Sequence, residues 1–274
     1  MAWTEITRAL YVRNGRGYAS DTTDDEWALI VPFMPTAKRL GRKRKVDLRR
    51  VVDAIFYMAS SGCQWRMLPK DFPARATAQG YFYLWRDTGL LKTINHALVM
   101  EARKRAGRDA SPNAGIIDSQ SVKTTESGGP RGFDAGKMIK GRKRHILTDT
   151  GGLLVAATVH AASIQDRDGA APLIASVKHL CPWLRHIIAD GGYAGPKFKE
   201  ALAKLGQWTI EIIKRSGLTK GFVLLPKRWV VERTLAWLNR NRRLAKDFER
   251  TIASSTAWLY IASIRLISKR LARD

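Results

Sequence analysis

Ala114-Gly115-Ile116-Ile117-Asp118 and His186-Ile187-Ile188-Ala189-Asp190-Gly191-Gly192 are the stretches on which the fold turns. Each holds a short apolar run closing on one carboxylate, which reads as a buried strand. Between and after them lie further short elements punctuated by Gly and Pro. Arg144 to Thr148 and Leu153 to Val159 form an expected hairpin around Asp149-Thr150-Gly151-Gly152. Asp166 to Leu180 and Pro196 to Leu205 read as helices, and Trp208 to Ile213 as a strand. Val230 to Leu244 and Thr251 to Leu271 close the chain as helices.

Upstream the grammar differs. Residues 1–20 read as a flexible leader. Thr23-Asp24-Asp25-Glu26 then opens a short helix with acids in its first turn. Val51, Ala54, Ile55, Met58 and Ala59 fall at helical spacing after Asp47, and Gly62 stops that helix. Further helices are expected over Ala74–Asp87 and Leu90–Arg105, and polar Gly107 to Asn113 marks a boundary. The layout predicts an α+β chain: an all-helical, helix-turn-helix-like domain over 21–106, then an RNase H-like mixed α/β domain over 107–274.

The 274 residues carry 48 Lys+Arg against 24 Asp+Glu, a formal charge of +24. A 45% hydrophobic content supports a real core, so the excess is not that of a disordered tail. Such a balance excludes an ordinary acidic metabolic enzyme and makes a polyanion the default partner. Cys63 and Cys181 have no metal-finger or disulfide-framework spacing. Ala257 to Ile264 is too short to span a bilayer, so a cytoplasmic protein is expected, without membrane partners and working at the nucleoid. The basic residues cluster in three places. They are Lys38–Arg50 (with Arg42, Lys43, Arg44 and Lys45), Arg131–Arg144 (with Lys140, Arg142, Lys143 and Arg144) and Lys227–Arg250 (with Arg228, Arg240 and Arg243). The second cluster falls in a connection of about 25 residues, too long for a passive turn and expected to track a phosphate backbone.

Asp118, Asp190 and Glu232 are the candidate chemistry. At the carboxyl ends of neighbouring strands, two aspartates face one crevice. Carboxylates gathered there repel one another unless a hard divalent cation lies between them. Taken singly, each acid is as readily a turn former or a helix-dipole partner. Asp149 reads as a hairpin-turn residue, and Asp166 as a first-turn helix acid.

In combination the motifs resemble the DDE transposases of bacterial insertion sequences, specifically the insertion-sequence-five family. The likeness is carried by Gly62-Cys63-Gln64-Trp65-Arg66-Met67-Leu68-Pro69, Ile117-Asp118-Ser119-Gln120-Ser121, Lys140-Gly141-Arg142-Lys143-Arg144-His145, Ala189-Asp190-Gly191-Gly192-Tyr193 and Arg228-Trp229-Val230-Val231-Glu232-Arg233. It implies that Asp118, Asp190 and Glu232 are the catalytic and metal-binding triad, holding two Mg²⁺ ions for which Mn²⁺ can substitute. It also implies cleavage at the inverted repeats of an element, strand transfer into target DNA, and a homodimer on double-stranded DNA. The family's Tyr-x2-Arg-x3-Glu-x6-Lys pattern is kept in part, with Leu225 at the Tyr place and Asn239 at the Lys place. Alternatives are a catalytically silent, transposase-derived DNA-binding protein or repressor, and a structure-specific DNA nuclease.

Overall fold

A computed structural model describes residues 17–36, 43–213 and 228–273. The first sixteen residues of the expected leader, Arg42 and Leu225 lie outside them. Residues just after that point are packed: the Tyr18 hydroxyl donates to Asp71 Oδ2 at 2.6 Å, and its ring stacks on Phe72.

The N-terminal helices begin and end where local chemistry places them. Helix α1 (Asp24–Ile30) opens on a reciprocal Thr23–Glu26 capping box. Helix α2 (Leu48–Ser61) is capped by Asp47 and stopped by Gly62 at φ 69°, a left-handed conformation that favours glycine. Helices α3 (Arg75–Asp87) and α4 (Leu90–Arg105) follow, separated by Thr88-Gly89.

A six-stranded sheet comes next: β1 (Ala114–Lys123), β2 (Gly132–Asp134), β3 (Ile139–Asp149), β4 (Leu154–Ala161), β5 (His186–Asp190) and β6 (Thr209–Ile213). Along its main path the order is β4-β3-β1-β5-β6, with short β2 pairing the start of β3. β1 is antiparallel to β3 and parallel to β5, and β5 is parallel to β6. Helices α5 (Asp166–Val177) and α6 (Pro196–Leu205) cover one face. Helices α7 (Arg228–Leu238) and α8 (Ile252–Leu271) cover the other. This is the α+β architecture with an RNase H-like sheet that the layout predicts.

Three expectations are corrected. β1 does not end at Asp118; it runs on to Lys123 because β3 continues to pair with it. The strand expected to begin at Arg144 begins at Ile139, because 132–134 and 139–141 of the basic connection pair as a tight hairpin that feeds straight into β3. The helix after Glu232 stops at Leu238, and Arg243 falls in a separate 3₁₀ turn, so Glu232, Asn239 and Arg243 do not share a helix face.

The two halves share one core. Helix α8 is buried on nearly all sides and packs against α4, α2 and α3 as well as β4. Its Trp258 stacks on Phe82 of α3 at 4.7 Å, and the Tyr260 hydroxyl accepts from Ala157 N at 3.0 Å.

Candidate active site

Strand pleat divides β1 between the two faces of the sheet. Ile116 and Ile188 pack in the core beneath Val231 and Leu235 of α7, while Ile117, Ile187 and Ala189 pack toward α5 and α6. Because Ile116 pairs with Ile188, Asp118 and Asp190 come level two residues later on neighbouring strands, on the α7 face. Both are half-buried. Asp118 Oδ1 accepts from Ser119 N at 2.7 Å, and Asp190 Oδ1 from Gly192 N at 2.8 Å. Glu232 stands exposed on α7, the helix that packs on β1 with contacts to β3 and β5. Among the described residues, no three His, Cys, Asp or Glu side chains converge as a group that could hold a metal ion.

Asp166 joins this end of the sheet. A Cβ at Gly192 would sit 3.0 Å from Asp190 Oδ1 and 3.5 Å from Asp166 Oδ2, so the two carboxylates flank the same glycine. Asp166 Oδ1 is 2.8 Å from Lys143 Nζ and accepts from Ser119 Oγ at 2.8 Å. Burial opposes its ionisation, but these donors outweigh burial and hold its pKa below the usual carboxylate value. Lys143 is itself buried and also meets Asp134 at 3.4 Å.

Beneath the carboxylates, the Tyr193 hydroxyl lies 2.8 Å from His145 Nε2, and His145 Nδ1 lies 2.7 Å from His160 Nε2. Burial, with smaller help from His160, lowers the His145 pKa to about 3. Burial and then the charges of Asp118, Asp166 and Asp190 push the Tyr193 phenol well above its ordinary value. Sequence reasoning placed Lys143 at DNA and Asp166 in a helix first turn and gave no role to His145, His160 and Tyr193, yet the five converge from four separate segments.

The basic residues divide sharply. Lys43, Arg44, Lys45, Lys140 and Arg240 are exposed. Arg142 and Arg144 are buried. Arg142 Nη1 pairs with Asp247 at 3.0 Å and donates to Glu249 O at 2.7 Å. Arg144 donates to the carbonyls of Leu244 and Lys246, and burial lowers its pKa to about 10 despite Asp247. Arg243 pairs with Glu249 and donates to Cys63 O at 3.0 Å. These three guanidiniums and the Lys143 ammonium therefore bind the fold together rather than forming the outer surface. The backbone of Arg228 opens α7; its side chain lies outside the described residues.

Comparison with known proteins gives the family. The profile of the transposase DDE domain matches residues 109–267, and that of IS4/5-family transposases matches residues 22–95. The chain belongs to the DDE transposases. It is 34% identical over 166 residues, 58% of this chain and 76% of the relative, to a Burkholderia cepacia protein named as a transposase for insertion sequence element IS402. A second relative, the uncharacterized protein y4sN of Sinorhizobium fredii, is 32% identical over 79 residues, 29% of this chain and 63% of its own length. This DDE transposase is of the IS4/5 type, an enzyme of a family that uses divalent metal ions. Among its described residues no helix is long and apolar enough to cross a membrane.

Proposed function

We propose that the protein binds the inverted repeats at the ends of an insertion sequence, hydrolyses a phosphodiester there, and directs the freed 3′-hydroxyl at target DNA. The observation that carries this reading is the level placement of Asp118 and Asp190 on adjacent strands under the helix that bears Glu232. Their donor set is oxygen from carboxylates, which suits Mg²⁺ or Mn²⁺ and not a soft metal. Asp118, Asp190 and Glu232 would hold the ions. Bound there, such ions would supply activation of the attacking oxygen and stabilisation of the leaving one. The backbone donors at Ser119 and Gly192 orient the two aspartates, and the Lys143–Asp166 pair neutralises charge beside them.

Exposed cations supply the DNA surface. Lys43, Arg44, Lys45, Lys140 and Arg240 face outward, and Arg131 and Lys246 line an open cleft of about 880 Å³ with hydroxyls of Thr124, Thr125 and Ser127. Phosphate contacts of this kind position a duplex, and a groove-entering element of the helical part, 21–106, reads its ends. The catalytic part spans 107–274. Pairing two ends calls for two active sites, hence a homodimer on DNA, acting at the nucleoid in the cytoplasm. The test is incubation of the full chain with an end-containing duplex and Mg²⁺. Nicks at the repeat boundary and joined products are expected. Nicks without joining indicate a nuclease, and end binding with no metal-dependent cut indicates a silent DNA-binding protein.

A further inference from the structure

The turn that follows Asp190 is built to be loose and is nevertheless pinned. Gly191 and Gly192 give the backbone unusual freedom, and the Asp190 carboxylate caps that same turn through Gly192 N. Whatever fixes the turn therefore fixes the direction of the carboxylate. Tyr193 ends it, 1% exposed, with its ring packed against Phe198 and its hydroxyl on His145 Nε2.

The direction of every hydrogen bond below Tyr193 follows from one backbone carbonyl. Ala161 O only accepts, so His160 Nδ1, 2.9 Å away, carries the proton. Neutral His160 then presents Nε2 as an acceptor, to which His145 Nδ1 donates at 2.7 Å. Neutral His145 in turn presents Nε2 as an acceptor, so Tyr193 is the donor at 2.8 Å. The chain Tyr193 → His145 → His160 → Ala161 O thus has a single sense, with each tautomer set by the next group. Helix α5 clamps it from outside. A Cβ on Gly169 would come within 2.4 Å of His160 Nε2 and 2.7 Å of His145 Nδ1.

We propose that Tyr193, locked through His145 and His160, is a positioning residue that aims the Asp190 carboxylate at a bound divalent cation. The role rests on the metal reading given under Proposed function. Groups that orient a metal ligand from behind typically change metal affinity by about 10–100-fold when removed. Tyr193→Phe keeps the ring and deletes the only atom that reaches His145.

Mn²⁺ binding to the full-length protein, followed by electron paramagnetic resonance, tests this without reference to activity. Native protein and Tyr193→Phe are titrated beside Asp190→Asn, with near-ultraviolet circular dichroism and melting temperature measured on each. Tyr193→Phe is expected to stay folded and to bind Mn²⁺ about tenfold or more weakly. Gly169→Ala, which displaces the histidine pair and deletes no polar atom, is expected to act in the same direction. A lowered melting temperature with native Mn²⁺ affinity makes Tyr193 a purely structural residue and overturns the proposal. If both variants fail to fold, the relay is a folding element and the positioning role falls. If the native protein shows no Mn²⁺ binding that Asp190→Asn removes, the metal reading falls and takes this inference with it.

Discussion

Asp149→Asn removes one charge and almost no volume, at a position read from the sequence as a mere turn former. In the structure the Asp149 side chain is 0% exposed and ion-pairs with Arg103, itself 6% exposed, with Arg108 at 3.4 Å. Its other oxygen accepts from Gly151 N at 2.9 Å and Leu153 N at 2.8 Å. An asparagine Oδ1 retains both turn bonds, so the β3–β4 hairpin survives. What disappears is the carboxylate facing Arg103, and the amide that replaces it sets donor against donor. Stranding one member of a buried pair costs about 3–5 kcal/mol, a large share of the 5–15 kcal/mol typical of a folded chain. For a protein of this size each kcal/mol moves the melting temperature by roughly 2–4 °C, so a fall on the order of 10 °C is expected. Calorimetry or urea unfolding of the full chain measures it. Adding Arg103→Met to Asp149→Asn should recover part of the loss, because no unpaired guanidinium remains inside. A melting temperature within about 1 °C of native for Asp149→Asn would refute the buried-pair argument.

Trp258→Ala deletes the indole that stacks on Phe82, and should cost about 3–5 kcal/mol while loosening both halves of the chain, as judged by hydrogen exchange in α3 and in β4. His145 has its pKa lowered by burial from 6.5 to about 3, so the unfolded chain binds more protons between those values. Its contribution to stability is complete above the unfolded value and is lost as pH falls toward about 3; His145→Gln should flatten that part of a stability–pH curve. Affinity for any duplex should fall with salt at a log–log slope near −0.9 per phosphate, about 10³–10⁵-fold between 50 and 200 mM for six to ten contacts. A flat response would remove the exposed cations from the DNA surface.

Much of the fold was legible because the chain punctuates itself. His186–Asp190 and Pro196–Leu205 match their sequence bounds, each framed by Gly or Pro. Thr23 and Glu26 announce a capping box, and Thr251 caps α8. The failures share one cause, partners distant in sequence. Arg142 and Arg144 read as DNA-facing cations until Asp247 and the carbonyls of Leu244, Lys246 and Glu249 are brought to them. Ser119-Gln120-Ser121 looks too polar for a strand, but Ser119 and Ser121 bond Asp166 and Asp134. The change from helices to strands at 107–113 was visible, whereas the core shared by α3, α4 and α8 was not, since nothing local to Trp258 points to Phe82. A fragment ending at 106 would lose that helix and expose the face it covers. At the candidate site, Asp190 closes β5 as expected whereas Asp118, expected at a strand end, lies mid-strand, and Asp166 passed as a helix acid because its neighbours Lys143 and Ser119 lie in other strands.

The catalytic role proposed for Asp118, Asp190 and Glu232 is tested by comparing Asp118→Asn, Asp190→Asn and Glu232→Gln with native protein in two measurements on one end-containing duplex: binding in EDTA, and nicking and strand transfer in Mg²⁺. Asp25→Asn, at an exposed position, is the control. Each triad variant should bind like native protein and lose cleavage by several orders of magnitude, since the carboxylates would hold cations whose effect is felt in the transition state. A Glu232→Gln protein that cleaves like native would contradict the assignment of the third acid, and full activity in Asp118→Asn or Asp190→Asn would contradict the site itself.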